Sequence, residues 1–246
     1  MKLPIGIQDF ESLRKDGYLY VDKTEHVYRL VSEGRYYFLS RPRRFGKSLL
    51  ISTIKALFQG KRELFKGLAI DQKEDWDWAV HPVLHLDLNT EKYDSKEKLE
   101  GKLNSFLSEN EKLYGREEWE NTFGIRFEVI IKRAYEKTGQ RVVILVDEYD
   151  KPMLQAIGNK ELQDEYRGTL KGFYGALKSM DGCIKFAMLT GVTKFVKVSV
   201  FRDLNYLRDI SMLPKFHDIC GVTEEELLRT FDDNINELAE NNGMER

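Results

Sequence analysis

A short apolar run, a basic loop and an amphipathic helical pattern follow one another directly in this chain, and this succession constrains its fold more than any other feature. The apolar run covers residues 36–39 and the loop continues to Gly46. The pattern after the loop has apolar residues at helical spacing, namely Leu49, Leu50, Ile51, Ile54, Leu57 and Phe58. The order predicts a strand, a tight loop and a helix. In this arrangement unpaired N–H groups and the positive end of the helix dipole face any anion at the loop.

The junction of loop and helix carries Gly46, Lys47 and Ser48. These residues match the end of the phosphate-binding pattern G-x-x-x-x-G-K-[S/T], in which the lysine reaches the terminal phosphates and the hydroxyl binds Mg²⁺. Arg41 stands where the pattern has its first glycine. Three matching residues are a weak signal alone. A nucleotide site of this kind also requires an acidic partner for the metal, which we call the acidic half-site. We expect the charge of Lys47, at the start of a helix, to be solvated and to make no core contact.

Two carboxylates, Asp147 and Glu148, follow five aliphatic residues at 142–146. The aliphatic run predicts a buried central strand, and the carboxyl end of a parallel strand delivers side chains to a ligand crevice. The interpretation is that Asp147 holds Mg²⁺, directly or through water, and that Glu148 polarises the water that attacks a nucleotide. The strand therefore supplies the acidic half-site that the loop requires.

Four stretches carry a resemblance to a known family, in the same order along the chain. They are YVDKT at 20–24, RPRRFGKS at 41–48, VDEYDKP at 146–152 and LTGVTK at 189–194. The sequence resembles the bacterial AAA-ATPase-like family, a branch of the P-loop NTPases near the archaeal-type and STAND ATPases. The resemblance covers roughly residues 3–228, and the missing first glycine is a trait of that family. Longer members carry a C-terminal nuclease-like domain, which we do not expect within these 246 residues.

The resemblance implies the fold class and the domain organisation. We expect an α/β, three-layer P-loop NTPase with a mostly parallel central sheet. Residues 1–222 would form the AAA-ATPase-like domain, and residues 223–246 the truncated start of a C-terminal helical lid. A capping box at Thr223 and Glu226 predicts where that last helical segment begins.

The motif and the resemblance together imply a site for ATP and Mg²⁺. The residues expected to bind the nucleotide are Arg44, Phe45, Gly46, Lys47, Ser48 and Leu49. The residues expected to hold the metal are Ser48 and Asp147, and those expected to serve catalysis are Lys47, Glu148 and Thr190. The role of Thr190 comes from the resemblance, as the polar residue after strand 184–189 that senses the γ-phosphate, with Thr193 as the next candidate. The alternative for either threonine is a strand-end hydroxyl that satisfies a turn.

A cationic side chain that stabilises the transferred phosphoryl group is also expected, and four arginines are candidates: Arg43, Arg44, Arg202 and Arg208. The sequence leaves the choice among them open. Asp22 and Lys23 are further candidates for nucleotide contacts, and the alternative for them is a solvated turn before a helix.

Arg41 needs an explanation, because glycine normally allows the sharp turn at the start of a phosphate loop. Pro42 fixes its own φ and favours an extended Arg41, which moves the turn to residues 44–46. The Arg41 side chain would then pair with a carboxylate behind the loop or lie along the nucleotide. We favour the first.

Composition excludes several classes of protein. Thirty-nine basic and 41 acidic residues nearly cancel, so no overall attraction to nucleic acid or membranes is expected. No run of eighteen apolar residues predicts a membrane span. The two cysteines, Cys183 and Cys220, form no metal-type pair or disulfide framework, which favours a cytoplasmic protein.

Two interpretations of function remain open. One is a domain that hydrolyses ATP to drive a conformational switch, and the other is a nucleotide-binding regulatory module with negligible turnover. Expected partners are ATP and a second copy of the chain or another protein. A role with nucleic acid rests only on analogy with the family.

Overall fold

A five-stranded parallel sheet forms the centre of the computed structural model, which describes residues 2–194 and 207–244. The strands lie in the order β2-β3-β4-β1-β5, and every neighbouring pair is parallel. Their bounds are β1 Tyr36–Ser40, β2 Val83–Asp87, β3 Val142–Asp147, β4 Ile184–Gly191 and β5 Arg208–Asp209. This sheet with helices on both faces confirms the predicted α/β three-layer fold.

Helices connect the strands and cover the sheet. The α-helices among the described residues are α1 Phe10–Lys15, α2 Thr24–Glu33, α3 Lys47–Phe58, α4 Lys96–Tyr114, α5 Phe123–Thr138, α6 Lys151–Gln155, α7 Lys160–Ser179, α8 Glu224–Thr230 and α9 Asp232–Asn241. Short 3-10 turns lie at Arg62–Phe65, Ala69–Gln72, Asp181–Cys183 and Pro214–Phe216. No helix in the described ranges is long and apolar enough to cross a bilayer.

The central strand β3 shows why the sheet is buried on both faces. Its side chains alternate between two cores, because successive residues of a strand point to opposite faces. Ile144 and Val146 lie in the core with α4, α5 and α7, whereas Val143 and Leu145 lie in the core with α2 and α3. All six residues of β3 are buried, as the uninterrupted aliphatic run predicts.

The last strand is shorter than the sequence suggests. Residues 209–213, which include the apolar Ile210, Met212 and Leu213, favour a strand, but β5 contains only Arg208 and Asp209. The Asp209 carboxylate accepts a hydrogen bond from the Ser211 amide at 2.9 Å, so this amide does not extend the pairing with β1. The capping box at Thr223 and Glu226 is present and begins α8 as predicted.

Helices α5 and α7 approach each other closely on one face of the sheet. The rings of Phe127 and Phe173 stack with centroids 4.5 Å apart and an interplanar angle of 2°. A Cβ at Gly124 would lie 2.7 Å from the Gly172 carbonyl oxygen. Because that atom belongs to the backbone, glycine is required at position 124 for this packing.

Gly124→Ala is expected to lower the free energy of unfolding by about 1–3 kcal/mol, the usual range for overpacking a well-packed interface. The matched control is Gly101→Ala in α4, where an added Cβ would meet no atom within 4 Å. That control should be neutral or stabilising by up to about 1 kcal/mol, since alanine favours the helix. Urea denaturation of both variants measures the difference, and equal stabilities would contradict the close packing of α5 on α7.

Candidate functional site

The carboxyl ends of β1, β3 and β4 meet at one edge of the sheet, and the predicted site residues gather there. Leu39 of β1 lies opposite Thr190 of β4, while Asp87 of β2 lies opposite Asp147 of β3. The loop of residues 41–46 (the β1–α3 loop) leaves the same edge and leads into α3. In parallel sheets this edge forms the ligand crevice.

The β1–α3 loop turns where the sequence predicts. Left-handed backbone occurs at Arg44, with φ of 65°, and at Gly46, with φ of 86°. Arg41 lies outside the left-handed region, and its amide donates to the Gly191 carbonyl at 3.1 Å, so it continues the pairing of β1 with β4. Gly46 is the N-cap of α3 and has no side chain that could cap the helix. The N–H groups of the first turn therefore need hydrogen-bond acceptors from other groups.

The Arg41 side chain points away from the loop's turn, but the predicted carboxylate partner is wrong. Its guanidinium donates to the Ser211 carbonyl, to the Phe216 carbonyl at 3.2 Å and to the His217 carbonyl at 3.4 Å. These carbonyls lie at and around the 3-10 turn Pro214–Phe216, where such a short turn leaves acceptors unused. Arg41 thus anchors the start of the loop to the segment that follows β5.

Lys47 is buried, so the expectation of a solvated charge is wrong. Its side chain is 3% exposed because the β1–α3 loop folds back over the first turn of α3. The ammonium donates to the carbonyls of Arg41 and Pro42, both at 3.2 Å. It also lies 3.0 Å from Oε1 of Glu148. The structure therefore joins two parts of the predicted site that are 101 residues apart in the sequence.

Asp147 is oriented by two donors. The hydroxyl of the fully buried Thr190 donates to Asp147 Oδ1 at 2.5 Å, and the Glu148 amide donates to the same oxygen at 3.1 Å. Thr190 therefore satisfies a carboxylate on the neighbouring strand, whereas the alternative from the sequence was that it satisfies a turn. Asp147 itself is only 3% exposed, so its carboxylate has a fixed position.

Glu148 has a backbone conformation that is rare for a residue other than glycine, and the pKa of its side chain is raised. Its φ of 53° makes it one of three non-glycine residues with left-handed backbone in the described ranges, together with Arg44 and Trp78. Such a conformation costs roughly 1–2 kcal/mol, and two of these three residues lie at this edge of the sheet. Burial raises the pKa of Glu148 above its ordinary value, and the hydrogen bond and charge of Lys47 oppose that rise.

The structure adds Asp150, a site-edge residue to which the sequence gave no role. This fully buried carboxylate accepts through Oδ2 from the Val192 amide at 2.9 Å and from the Thr193 amide at 2.7 Å. Burial raises the pKa of Asp150, and these amides oppose the rise. A Cβ at Gly191 would lie 2.7 Å from Asp150 Oδ1 and 2.5 Å from the Tyr149 ring. The signals in the sequence were the place of Asp150 in the VDEYDKP stretch and the glycine at the last position of β4.

The remaining predicted nucleotide residues lie around the first turn of α3. Ser48 and Leu49 are half-buried in that turn, and Arg43, Arg44 and Phe45 are exposed on the loop. Their proximity to the buried lysine is what the motif requires, and their binding roles stay predictions.

Two of the four arginines expected to stabilise the transferred phosphoryl group are not placed at this edge of the sheet. Arg208 pairs with Tyr37, three residues before the end of β1 at Ser40, so it lies away from the carboxyl ends of the strands. Arg202 lies outside the described residues. Of the four arginines, Arg43 and Arg44 are therefore those that the structure places beside the loop.

Asp22 and Lys23 make structural contacts. Asp22 accepts from the Thr24 amide at 2.8 Å and from the Ala69 amide at 2.7 Å. Lys23 forms a buried ion pair with Glu226 of α8, 2.5 Å away. The segment before α2 is therefore not a solvated turn, because these contacts connect it to two distant parts of the chain.

Comparison with known proteins found a family model that matches the chain and a curated protein that is similar to it. A family model described as predicted AAA-ATPase (AAA-ATPase_like) matches residues 4–201. A curated protein of Azotobacter chroococcum mcd 1, described as an uncharacterized protein in the vnfD 5'region, is 44% identical over 232 residues. The alignment covers 94% of this chain and 45% of that protein, so the chain spans less than half the length of the relative. No solved structure matches the chain.

Arg41→Gly, which restores the general glycine pattern, is expected to lower the free energy of unfolding by about 1–3 kcal/mol, because charged hydrogen bonds to several carbonyls are lost. Arg43→Gly, in the exposed part of the same loop, is the matched control and should cost less than about 1 kcal/mol. Thermal and urea unfolding measure both. A stability for Arg41→Gly equal to that of the control would contradict the anchoring role.

Proposed function

The chain belongs to the AAA-ATPase-like family, and on that premise we propose that it binds ATP with Mg²⁺ and hydrolyses it to drive a conformational switch. The observation that carries the proposal is the contact between Lys47, at the start of α3, and Glu148, at the end of β3, 3.0 Å apart. A phosphate-loop lysine and an acidic pair at one sheet edge are the parts that phosphoryl transfer requires.

The start of α3 supports a phosphate site. Gly46 presents backbone without a side chain, and the N–H groups of the first helical turn are oriented toward the loop. The helix dipole and the Lys47 charge both favour an anion at this point. The phosphates of ATP would accept hydrogen bonds from these amides and from the Lys47 ammonium.

The residues at the site also fit Mg²⁺. Mg²⁺ prefers oxygen ligands and is usually held by one or two carboxylates together with substrate phosphates and water. Ser48 and Asp147 offer a hydroxyl and a carboxylate, and no cluster of three or more His, Cys, Asp or Glu suited to a metal exists among residues 2–194 and 207–244. With these two protein oxygens as ligands, the remaining positions around Mg²⁺ would be filled by phosphate and water. When bound, the ion would neutralise charge on the transferred phosphoryl group.

Glu148 is the proposed general base. Its raised pKa brings it nearer to the range in which a carboxylate accepts a proton efficiently. ATP would compete with Glu148 for the Lys47 ammonium, and the released carboxylate could then orient water for in-line attack. Thr190 would keep Asp147 in position and sense the γ-phosphate, and Arg43 or Arg44 would stabilise the transition state.

The alternative, a regulatory module with negligible turnover, is also supported by a specific observation. In this structure the carboxylate of the proposed base lies 3.0 Å from the Lys47 ammonium, and its backbone has a left-handed φ of 53°. If the pair persists with ATP bound, nucleotide would select a conformation without being hydrolysed.

We also propose that residues 1–222 form the ATPase domain and that α8 and α9 begin a helical lid. Leu227, Leu228 and Leu238 on these helices are 44%, 46% and 65% exposed, which fits packing against additional protein. A second copy of the chain or another protein is the proposed partner, and nucleic acid is suggested only by analogy with the family.

Lys47→Ala is expected to abolish ATP binding and also to lower the melting temperature, because Glu148 loses its buried partner. Titration calorimetry with ATP and Mg²⁺ measures binding, and circular dichroism checks that the variant is folded. Lys55→Ala, in the last turn of the same helix, is the matched control and should bind as the wild type does. ATP affinity in folded Lys47→Ala equal to that of wild type would contradict the phosphate site.

Glu148→Gln is expected to bind ATP at least as tightly as wild type and to hydrolyse it at least ~100-fold more slowly, the scale of losing a catalytic base. A phosphate-release assay measures turnover. Glu165→Gln, on the exposed side of α7, is the control and should hydrolyse at the wild-type rate.

Unchanged hydrolysis in Glu148→Gln would show that another group positions the water. If wild-type protein binds ATP but releases no phosphate above buffer, the regulatory alternative replaces the ATPase proposal.

A further inference from the structure

Asp150 lies directly before α6, at the N-cap position of that helix. An aspartate in this position commonly accepts a hydrogen bond from an amide in the first turn of its own helix, which stabilises the helix. Asp150 makes no such bond to α6. Its side chain is completely buried and is bound to a different part of the chain. The contact that Asp150 makes in place of the helix cap therefore needs an explanation.

The partners of this carboxylate lie in the segment that leaves β4. Oδ2 of Asp150 accepts from the Val192 amide at 2.9 Å, from the Thr193 amide at 2.7 Å and from the Thr193 hydroxyl at 3.1 Å. Two consecutive amides that converge on one oxygen hold their segment in one conformation, because rotation of either peptide unit would break a bond. Asp150 thus fixes the backbone immediately after the carboxyl end of β4.

Tyr149 binds the same segment. Its amide donates to the Thr190 carbonyl at 2.9 Å, and its hydroxyl donates to the Thr193 carbonyl at 3.0 Å. Gly191 lies between these two contacts. A Cβ at that position would lie 2.5 Å from the Tyr149 ring and 2.7 Å from Oδ1 of Asp150. The two residues that follow the acidic pair are therefore closely packed on the end of β4 and hydrogen-bonded to it.

The backbone of Glu148 is held on both sides by these contacts. Before it, Asp147 accepts from the Thr190 hydroxyl, and after it, Asp150 binds the segment that leaves β4. The Glu148 carbonyl also accepts from the amide of Lys151, the first residue of α6, at 3.0 Å. Left-handed backbone at a residue other than glycine persists only where the surrounding structure determines it. Asp150 is part of that structure.

We propose that Asp150 is a positioning residue for hydrolysis, whose carboxylate couples the segment after β4 to Glu148 and keeps the Glu148 carboxylate where it orients water. The inference rests on the proposed function, because it assigns a role in the same reaction. Asp150 is completely buried, so it acts through Glu148 and not by contact with the nucleotide. The role requires an acceptor oxygen and not a charge, because the partners are amides and a hydroxyl.

Asp150→Ala removes the acceptor and is expected to separate catalysis from binding. The kcat for ATP hydrolysis should fall at least about tenfold, because displacing a reacting group by about 1 Å can cost about 100-fold in rate. The Kd for ATP with Mg²⁺ should change less than about threefold, because the β1–α3 loop is unaltered. Phosphate release and titration calorimetry measure the two quantities.

Asp150→Asn is the conservative variant and should restore most of the activity. Its amide oxygen can accept from the same two amides. Its NH₂ group would take the place of Oδ1, which has no hydrogen-bond partner among residues 2–194 and 207–244. We expect a kcat within about threefold of wild type, because the hydrogen bonds that position the backbone are kept.

Thr122→Ala is the matched structural control. It also removes a side-chain acceptor from a backbone amide, that of Ile125 at 3.2 Å, but it does so at the N-cap of α5. This variant should have a lower melting temperature than wild type and an unchanged kcat. A loss of stability alone is thereby distinguished from a loss of positioning.

Combining Asp150→Ala with Glu148→Gln tests whether Asp150 acts through Glu148. The effects of residues that act as a unit are not additive, so the double variant should hydrolyse ATP within about threefold of the rate of Glu148→Gln alone. A further loss of at least about tenfold would show that Asp150 acts independently and would overturn the proposal.

Hydrogen exchange of the wild-type protein, followed by NMR, provides a test that needs no variant. The amides of Tyr149, Val192 and Thr193 should show similar protection after correction for their intrinsic exchange rates, because coupled segments open as one unit. Protection of Tyr149 that differs from that of the other two by more than about tenfold would show independent opening and overturn the coupling.

The outcomes separate this inference from the proposed function. A wild-type kcat in folded Asp150→Ala, or a kcat in Asp150→Asn as low as in Asp150→Ala, would overturn the positioning role while the ATPase proposal stands. If wild-type protein binds ATP but releases no phosphate, the ATPase proposal fails and the positioning role fails with it.

Discussion

The contact between Lys47 and Glu148 joins the two halves of the site, and the local structure depends on it. A buried ammonium is stable only when its charge is paired and its donors are used. An ammonium has three N–H donors, and the Arg41 carbonyl, the Pro42 carbonyl and Glu148 supply three acceptors. The first helical residue of α3 is thereby fixed to the loop before it and to the end of β3.

That contact requires the observed strand order. Strands β1 and β3 are separated by β4, so Lys47 reaches Glu148 across the end of β4. Thr190, near that end, holds Asp147, and Gly191 leaves room for Tyr149 and Asp150. Each of the three central strands therefore contributes one necessary feature. Strand β1 leads into the loop with Lys47, β3 ends at the acidic pair, and β4 ends in the small residues Thr190 and Gly191.

The sequence was sufficient to predict the fold and to indicate which residues lie together at this edge of the sheet, because both depend on local patterns. Aliphatic runs predicted β3 and β4, and Pro42 predicted the displaced turn at Arg44 and Gly46. The burial of Lys47 was not predictable in this way, because it results from the loop folding over the helix and from a residue 101 positions away.

Contacts between distant segments account for the other differences. Arg41 meets the Ser211 carbonyl 170 residues later, and Lys23 meets Glu226 203 residues later. Neither pair leaves a periodic signal in the sequence. Asp150 was likewise missed, because its partners are backbone amides after β4 and amides are present at almost every position.

A crystal structure of the full chain with Mg²⁺ and a non-hydrolysable ATP analogue would show whether nucleotide binds at the Lys47–Glu148 contact. We predict that the β- and γ-phosphates lie at the first turn of α3, within hydrogen-bonding distance of the Lys47 ammonium, and that the direct Lys47–Glu148 contact is broken. Phosphates bound elsewhere on the protein would contradict it.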